Sequence, residues 1–332
     1  MVRLGFIRPE EGPAVFPPLT SGSGNLLEQF PSIVQEVMPL DSKKRRQLND
    51  DIRQLSRSLT DERNTRRVGY MNDPSVLSAY IRYYMWWNLV RLVRLFTSLP
   101  LELEDGDFAL DLGSGPLTLP VALWIARPDL RDKKISWYCV DVSQNALSAG
   151  EEIFLHFAAR TGNTPWHITR VKGEAGVPLH RKVRFAASAN MFNELFWNNP
   201  RSLERQIQLY AGIIENYVQP QASVLLVEPG IPAAGRFISL MREALGRLDF
   251  LPVFPCPHTE LCPLAGKNSR KWCHFVFDTA SAPAQLHKLS GDSGLSKDRA
   301  ALTFLYAARD PDDRPEKRKR RIREKAGTPE RF

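Results

Sequence analysis

Three cysteines lie close together near the C-terminal end of the sequence and have the chemistry of metal ligands. Cys256, Cys262 and Cys273 fall within eighteen residues, and His258 and His274 stand beside them. Thiolates are soft ligands that prefer zinc or iron, and a reducing compartment keeps clustered thiols from forming disulfides. The spacing therefore predicts a bound metal or iron–sulfur cluster. The alternative is a chance cluster of three thiols with capping histidines.

A glycine-rich turn between two apolar stretches has the chemistry of a nucleotide-binding site. The first stretch ends in Asp111, and the chain turns through Gly113 and Gly115, where the missing Cβ lets the backbone approach a ligand. A second apolar stretch ends in Asp141, whose carboxylate can accept hydrogen bonds from ribose hydroxyls. This order of acids and glycines resembles class I S-adenosylmethionine-dependent methyltransferases more than dehydrogenases. It predicts an S-adenosylmethionine site, with a ligand-free strand, turn and helix as the alternative.

The polar residues best placed for catalysis follow a strand predicted at residues 183–190. Ligands of parallel α/β sheets bind outside the carboxyl ends of the strands, so Asn193 and Glu194 are the leading candidates. The Asn/Asp-Pro-Pro-aromatic motif of amino-directed methyltransferases is absent, and no nucleophilic cysteine follows this strand. The residues therefore support cofactor binding without a recognisable catalytic motif.

An α/β sheet is required to position these residues. The predicted fold is a Rossmann-like class I methyltransferase fold, with a mostly parallel sheet and an antiparallel edge pair. This domain is expected to span residues 101–310, with a Cys-rich metal-binding insertion at 255–275. The predicted strands cover residues 108–111, 135–141, 183–190, 222–229, 250–254 and 301–306.

The N-terminal part of the chain predicts a helical domain that precedes the sheet. Residues 1–23 contain several prolines, glycines and serines and are expected to form an extended leader, whereas residues 24–100 show helical periodicity. Aromatic residues are dense in the last predicted helix and are expected to pack in the core, although an RNA-facing edge is the alternative. The arginines interleaved with them are Arg82, Arg91 and Arg94.

The net charge of +8 favours a polyanionic partner. Much of this excess lies in residues 311–332, which are expected to form a flexible basic tail. Such a tail can neutralise RNA phosphates and release their counterions; the alternative is a solvated tail without a partner. The predicted RNA-binding residues are Arg318, Lys319, Arg320, Arg321 and Arg323.

The sequence predicts neither membrane insertion nor secretion. It contains no run of about eighteen apolar residues, and the apolar part of its N-terminus is too short for a secretory signal. We therefore expect a cytoplasmic protein if the source is bacterial, and a protein of the mitochondrial matrix if it is eukaryotic.

Three motifs together carry a resemblance to a known family. Segments in three parts of the sequence together resemble the Rsm22 family. They are Leu-Asp-Leu-Gly-Ser-Gly-Pro at Asp111, Val-Glu-Pro-Gly-Ile-Pro-Ala-Ala-Gly at Glu228, and, in the cysteine stretch, Cys-Pro-His, Cys-Pro-Leu and Trp-Cys-His-Phe. These are methyltransferase-like proteins of bacterial and mitochondrial small ribosomal subunits, and the likeness covers about residues 70–310. It implies association with the small subunit or its precursor, contact with ribosomal RNA, a role in assembly or translation, and a four-iron, four-sulfur cluster.

The sequence departs from the family pattern at two positions. Gly327 stands where the family carries a fourth cysteine before a Thr-Pro pair. The alternatives are a cluster completed by His258, His274 or an external ligand, a cluster of only three irons, and no cluster. Leu117 replaces the third glycine of the cofactor turn, and its side chain is expected to crowd the methionine end of the cofactor.

Three functions follow from these patterns. The leading hypothesis is a small-subunit assembly or translation factor that binds ribosomal RNA and an iron–sulfur cluster. The second is an active S-adenosylmethionine-dependent ribosomal RNA methyltransferase. The third is a methyltransferase of small molecules whose cysteine loop is held by zinc.

Overall fold

The chain folds around one eight-stranded sheet with helices on both faces. The computed structural model describes residues 15–60, 69–195, 203–256, 258–264 and 271–309. The strands are β1 Phe108–Leu112, β2 Ser136–Asp141, β3 His167–Lys172, β4 Val183–Ala189, β5 Val218–Pro229, β6 Leu251–Phe254, β7 Phe275–Asp278 and β8 Arg299–Ala308. The helices are α1 Ser21–Glu28, α2 Phe30–Val37, α3 Ser42–Thr60, α4 Pro74–Ala79, α5 Trp86–Ser98, α6 Thr118–Ala126, α7 Gln144–Thr161, α8 Phe192–Leu195, α9 Leu203–Tyr217, α10 Pro232–Arg247 and α11 Ala284–Asp292.

The strand order confirms the predicted fold. The strands lie in the order β3-β2-β1-β4-β5-β8-β6, and β7 also pairs with β8. The first five strands of this order pair in parallel, whereas β8 runs antiparallel to β5 and β6. The carboxyl ends of β1, β2, β4 and β5 therefore meet at one edge, where ligands of open α/β sheets bind. This is the class I methyltransferase arrangement.

The residues between β6 and β7, 255–274, carry the three clustered cysteines and are called the cysteine loop. This loop interrupts the outer edge of the sheet. β6 pairs with residues 306–308 of β8, and β7 pairs with residues 299–302 of the same strand. β6 and β7 therefore follow one another along one side of β8, in the same direction. The segment that carries Cys256, Cys262 and Cys273 connects these two strands.

The N-terminal helices share their hydrophobic core with the sheet. Phe30 of α2 and Trp86 of α5 belong to the same buried cluster as Trp124 of α6 and Phe304 of β8. α4 begins at Pro74, because the Asp73 carboxylate accepts from the backbone N–H groups of Ser75 and Val76 in the first turn. A π-helical turn at Tyr80–Met85 links α4 to α5, so these segments form one nearly continuous helix over the sheet.

The extended leader was predicted to reach residue 23, but the first helix already begins at Ser21. α1 begins at Ser21 because the Thr20 side chain accepts a hydrogen bond from Ser23 N, the usual N-cap arrangement. Phe16, in the same segment, packs against Phe277 of β7 with a ring separation of 4.8 Å. The first fourteen residues lie outside the described part of the chain.

The three arginines among the aromatic residues face inward, so the RNA-facing alternative for them is wrong. Arg94 donates to the carbonyls of Phe16, Pro17 and Asp278 at 2.7 to 2.9 Å. Arg82 donates to the Met38 carbonyl, and Arg91 donates to Ala301 O at 3.3 Å. These guanidinium groups join segments distant in sequence, because a buried Arg needs several acceptors. Within the described ranges, no helix is both long and apolar enough to cross a membrane.

Candidate functional site

The predicted cofactor turn lies at the carboxyl ends of β1 and β2. Gly113 and Gly115 have φ values of +69° and +50°, a conformation that side chains with a Cβ rarely adopt. The N–H groups of Gly113 and Ser114 both donate to Val140 O, at 2.9 and 3.0 Å. The backbone of β2 thus fixes the turn, and the glycines leave the space above it free of Cβ atoms.

Asp141 holds this turn with one carboxylate oxygen and the residues after β2 with the other. Oδ2 accepts from Gly115 N at 2.8 Å, and Oδ1 accepts from Ser143 N at 2.8 Å. Burial raises the pKa of Asp141, and these backbone N–H groups oppose the shift. Each carboxylate oxygen retains a second lone pair, so this residue can both hold the turn and accept a ribose hydroxyl.

Asp111 is a buried carboxyl at the floor of a small cavity. Neither of its carboxylate oxygens has a hydrogen-bond partner among the described residues. Burial raises its pKa to about 8, against the opposing effect of the nearby Ser114 hydroxyl. The cavity has room for about one water molecule and is also lined by Tyr80, Asn88 and Asn190. Because a buried acceptor without a partner is costly, this site fits a polar or cationic ligand group.

Two methionines cover the cofactor turn. A Cβ built on Gly113 would lie 2.6 Å from the Met191 Cγ, and one on Gly115 would lie 3.4 Å from the Met71 Cε. The Met71 segment is anchored, because Ser143 Oγ donates to Asn72 Oδ1 at 2.9 Å. S-adenosylmethionine can therefore reach the glycines only if these flexible side chains move. The sequence alone could not show this contact, because both methionines come from other parts of the chain.

The Leu117 side chain lies in the hydrophobic core, whereas the sequence suggested that it would crowd the cofactor. Leu117 has a φ of +56°, and its side chain is fully buried in the hydrophobic cluster shared with α6 and α7. The close packing that a third glycine usually provides comes from Gly150 of α7 instead. A Cβ there would lie 2.3 Å from the carbonyl carbon of Pro116.

Asn193 and Glu194 lie beside the turn, in the short helix α8, whose first residues are held by Glu228. The Glu228 carboxylate accepts from Phe192 N at 2.9 Å and Asn193 N at 3.0 Å. Asn193 Nδ2 donates to Asn190 O at 2.8 Å, and Tyr70 Oη donates to Glu194 Oε1 at 3.3 Å. The candidate catalytic side chains are thus engaged within the protein. Glu228, which was not predicted as a site residue, holds the start of α8. The available signal in the sequence was an acid at the end of a buried apolar strand.

The cysteine loop packs along one face of α10. Ser239 Oγ donates to Leu264 O at 3.1 Å, and Cys262 Sγ lies 3.7 Å from the same hydroxyl. One turn further, Arg242 Nη2 donates to His258 O at 2.8 Å. At the start of the helix, a Cβ on Gly235 would lie within 3.0 Å of Cys273 O. α10 therefore fixes the loop at three successive positions.

The three thiols of this loop interact electrostatically with one another. Burial raises the pKa of Cys256, with the Arg242 guanidinium opposing and Cys262 reinforcing the shift. Burial and the two other thiols raise the pKa of Cys273 to about 11. The residues that the structure describes nevertheless include no group of three or more His, Cys, Asp or Glu side chains arranged to hold a metal ion. The fourth cysteine of the chain, Cys139, is buried in β2, five strands from β6.

The two candidate histidines differ in their surroundings. His258 Nδ1 is buried and has no hydrogen-bond partner in the described part of the chain. The His274 ring stacks on Trp272 at 4.7 Å, and its Nδ1 lies 3.2 Å from Trp272 O. His258 is therefore the better candidate for a fourth ligand. Gly327 and the predicted RNA-binding residues of the tail lie outside the described residues.

Comparisons with known proteins place the chain beside a ribosomal family. The family described as mitochondrial small ribosomal subunit Rsm22 matches residues 105–326, which contain the cofactor turn, Glu228 and the cysteine loop. No curated protein matches the chain significantly.

Several solved methyltransferases are similar in structure. A methyltransferase from Geobacter sulfurreducens in complex with S-adenosyl-L-homocysteine is 13% identical with a TM-score of 0.38, covering 77% of this chain and 98% of that one. A geranyl diphosphate C-methyltransferase from Streptomyces coelicolor is 9% identical with a TM-score of 0.39, covering 89% and 100%. A precorrin-6y C5,15-methyltransferase from Geobacter metallireducens is 11% identical with a TM-score of 0.38, covering 66% and 88%.

Proposed function

The chain belongs to the Rsm22 family, and from this premise we propose that it binds the small ribosomal subunit or its precursor as an assembly or translation factor. The observation that carries the proposal is the family match over residues 105–326. The net charge of +8 supports a ribosomal RNA partner, since basic proteins neutralise phosphates and release their counterions. The engaged side chains of Asn193 and Glu194 favour a binding role over a catalytic one.

Sedimentation with ribosomal particles tests this proposal. The full chain is mixed with small subunits, subunit precursors, large subunits and an equal mass of bulk RNA at about 0.15 M salt, where exposed charges are partly screened. We expect sedimentation with small-subunit particles and little with the other two. Equal binding to large subunits or bulk RNA would contradict the proposal.

A thiolate-bound metal is the second part of the proposal. Cys256, Cys262 and Cys273 supply soft ligands, and His258 offers an unpartnered ring nitrogen. The chemistry of these donors fits a four-iron, four-sulfur cluster, with zinc as the alternative, although the side chains as described do not form a coordination group. Because all four candidate ligands lie between β6 and β7, a bound cluster would cross-link the two ends of the cysteine loop.

The metal content should depend on the three thiols and also on how closely the loop packs against α10. For protein purified without oxygen, we expect iron and acid-labile sulfide in similar amounts, and their loss in Cys256→Ser. Gly235→Ala should also lower the metal content, because its Cβ would press on Trp272 and Cys273 O at 2.9 and 3.0 Å. The control is Gly246→Ala in the same helix, where nothing lies within 4 Å of the new Cβ. Zinc without sulfide would support the third hypothesis, and no metal would remove this part of the proposal.

An active ribosomal RNA methyltransferase is the second candidate function. It is favoured by the cofactor cradle, where Cβ-free backbone lies beside the unpartnered Asp111 carboxyl. Gly113, Gly115, Asp111 and Asp141 would hold S-adenosylmethionine, which supplies an electrophilic methyl group when bound. Calorimetry with the cofactor distinguishes this candidate. No heat of binding at millimolar cofactor, in the wild type and in Met191→Ala with the turn uncovered, would exclude it.

A further inference from the structure

α3 presents a row of basic side chains to solvent. Its nineteen residues include six Lys or Arg and two Asp. Lys43, Arg46, Asp50, Arg53 and Arg57 are spaced three and four residues apart, so they share one face of the helix. Lys43 and Arg46 lie in a fully exposed stretch of the helix. We call these five residues the α3 row; it extends about 21 Å from first to last.

The opposite face of α3 is already covered. Ile52 and Leu55 are buried, with exposed fractions of 0% and 4%, and Leu48 and Leu59 pack against the same core. Helices that bind a membrane surface bury an apolar face in the lipid. Because that face of α3 is occupied by the protein, the exposed row fits a hydrophilic polyanion better than a bilayer.

Most of the charge in the row is available to a partner. Arg53 pairs with the Asp50 carboxylate, and both side chains are about half exposed. Arg53 Nη1 also donates weakly to Asp292 O of α11, at 3.4 Å. In the described part of the chain, no carboxylate lies within ion-pair distance of Arg46 or Arg57. The row therefore keeps a net positive charge, and Asp50 is the residue that limits it.

We infer that the α3 row binds the phosphate backbone of RNA, in addition to any binding by the basic tail. The inference rests on the proposed function, since it takes the polyanion to be ribosomal RNA. Guanidinium groups bind phosphates with paired hydrogen bonds, and their regular spacing on a helix matches a repeating line of charges. Contacts of this kind supply affinity and orientation with little sequence preference.

Charge variants of the full chain test the inference. The variant Lys43→Gln/Arg46→Gln/Arg57→Gln is compared with Lys134→Gln/Lys172→Gln/Lys182→Gln, which removes three exposed positive charges elsewhere. Binding to a fluorescent fragment of small-subunit RNA is measured by anisotropy between about 50 and 200 mM salt. We expect the α3 variant to lose roughly tenfold in affinity at about 100 mM salt and about two units of the salt slope, since each phosphate contact contributes about 0.7 to 0.9.

Asp50→Asn provides a test of opposite sign. Removing this carboxylate releases Arg53 and should tighten RNA binding by about threefold with a steeper salt slope, since one more phosphate contact becomes available. If both triple variants bind the RNA as tightly as the wild type does, the inference is overturned and the proposed function stands. Absence of wild-type binding to the RNA would overturn both. Binding to phosphatidylserine vesicles is measured with the same variants. If the α3 variant binds RNA as the wild type does but loses binding to the vesicles, the row binds a membrane and the inference is overturned as well.

Discussion

Gly150→Ala is expected to destabilise the protein by about 1–3 kcal/mol, the cost of overpacking a filled interior. Gly150 lies in the middle of α7, where an alanine would ordinarily stabilise the helix by roughly 1 kcal/mol. Here the new Cβ would lie 2.3 Å from the carbonyl carbon of Pro116 and 2.5 Å from its oxygen. Both are backbone atoms of the cofactor turn, so α7 or the turn must move.

Gly212→Ala is the matched control for this change. Gly212 lies within α9, and nothing lies within 4 Å of its added Cβ. It should therefore stabilise the protein by about 0.5–1 kcal/mol. Urea unfolding of both variants gives the two free energies of unfolding. Equal stabilisation in both would show that α7 does not rest on the turn as described.

The central strands of the sheet were predictable because each carries its own local signal. β1, β2, β4 and β5 are buried apolar runs bounded by turn residues, the pattern typical of parallel strands. β3 was missed, because this strand at the edge of the sheet is partly exposed and its two apolar residues, Ile168 and Val171, do not alternate regularly with polar ones. β7 and α11 were missed as well; each is short, and β7 follows directly after the cysteine loop.

Contacts between distant segments could not be predicted from one sequence. Arg94 was open to an RNA-facing interpretation because its acceptors lie 77 to 184 residues away. Met191 meets Gly113 only because the carboxyl ends of β1 and β4 are neighbours. Leu117 was expected at the cofactor because a turn motif specifies backbone positions, whereas the direction of a side chain depends on the surrounding core. The turn and strand ends that carry these residues were thus predictable, whereas the contacts of their side chains were not.

The contacts of the buried glutamate of β5 also depend on a segment distant in sequence. Glu228 is fully buried, and its pKa is raised to about 8 by burial, against the opposing backbone N–H groups of Asn193 and Phe192. Together with Asp111 it gives the carboxyl edge of the sheet two acids that hold their protons near neutral pH. Both lie next to the cofactor turn, where a cationic ligand would favour their ionised forms.

Asp111→Asn should raise the free energy of unfolding at pH 8 and reduce its dependence on pH. The pKa of Asp111 is about 8 in the folded protein, compared with an ordinary 3.8. Between these values the folded state keeps a proton that the unfolded state has lost, so stability falls as pH rises through this window. An amide carries no charge and does not titrate. As the pH rises from 4 to 8, we expect the free energy of unfolding of the variant to increase relative to that of the wild type by on the order of 2–5 kcal/mol. Thermal unfolding at several pH values gives this difference.

The same substitution should weaken the cofactor site while it stabilises the fold. If S-adenosylmethionine binds at the turn, its positive charge favours the ionised Asp111; wild-type affinity should then rise from pH 6 to pH 8, and Asp111→Asn should remove the rise. Asp298→Asn is the control, because this side chain is exposed and should leave both profiles unchanged. A variant with wild-type pH dependence of stability would mean that Asp111 is ionised in the folded protein. A stabilising variant that still binds the cofactor normally would place the cofactor away from Asp111.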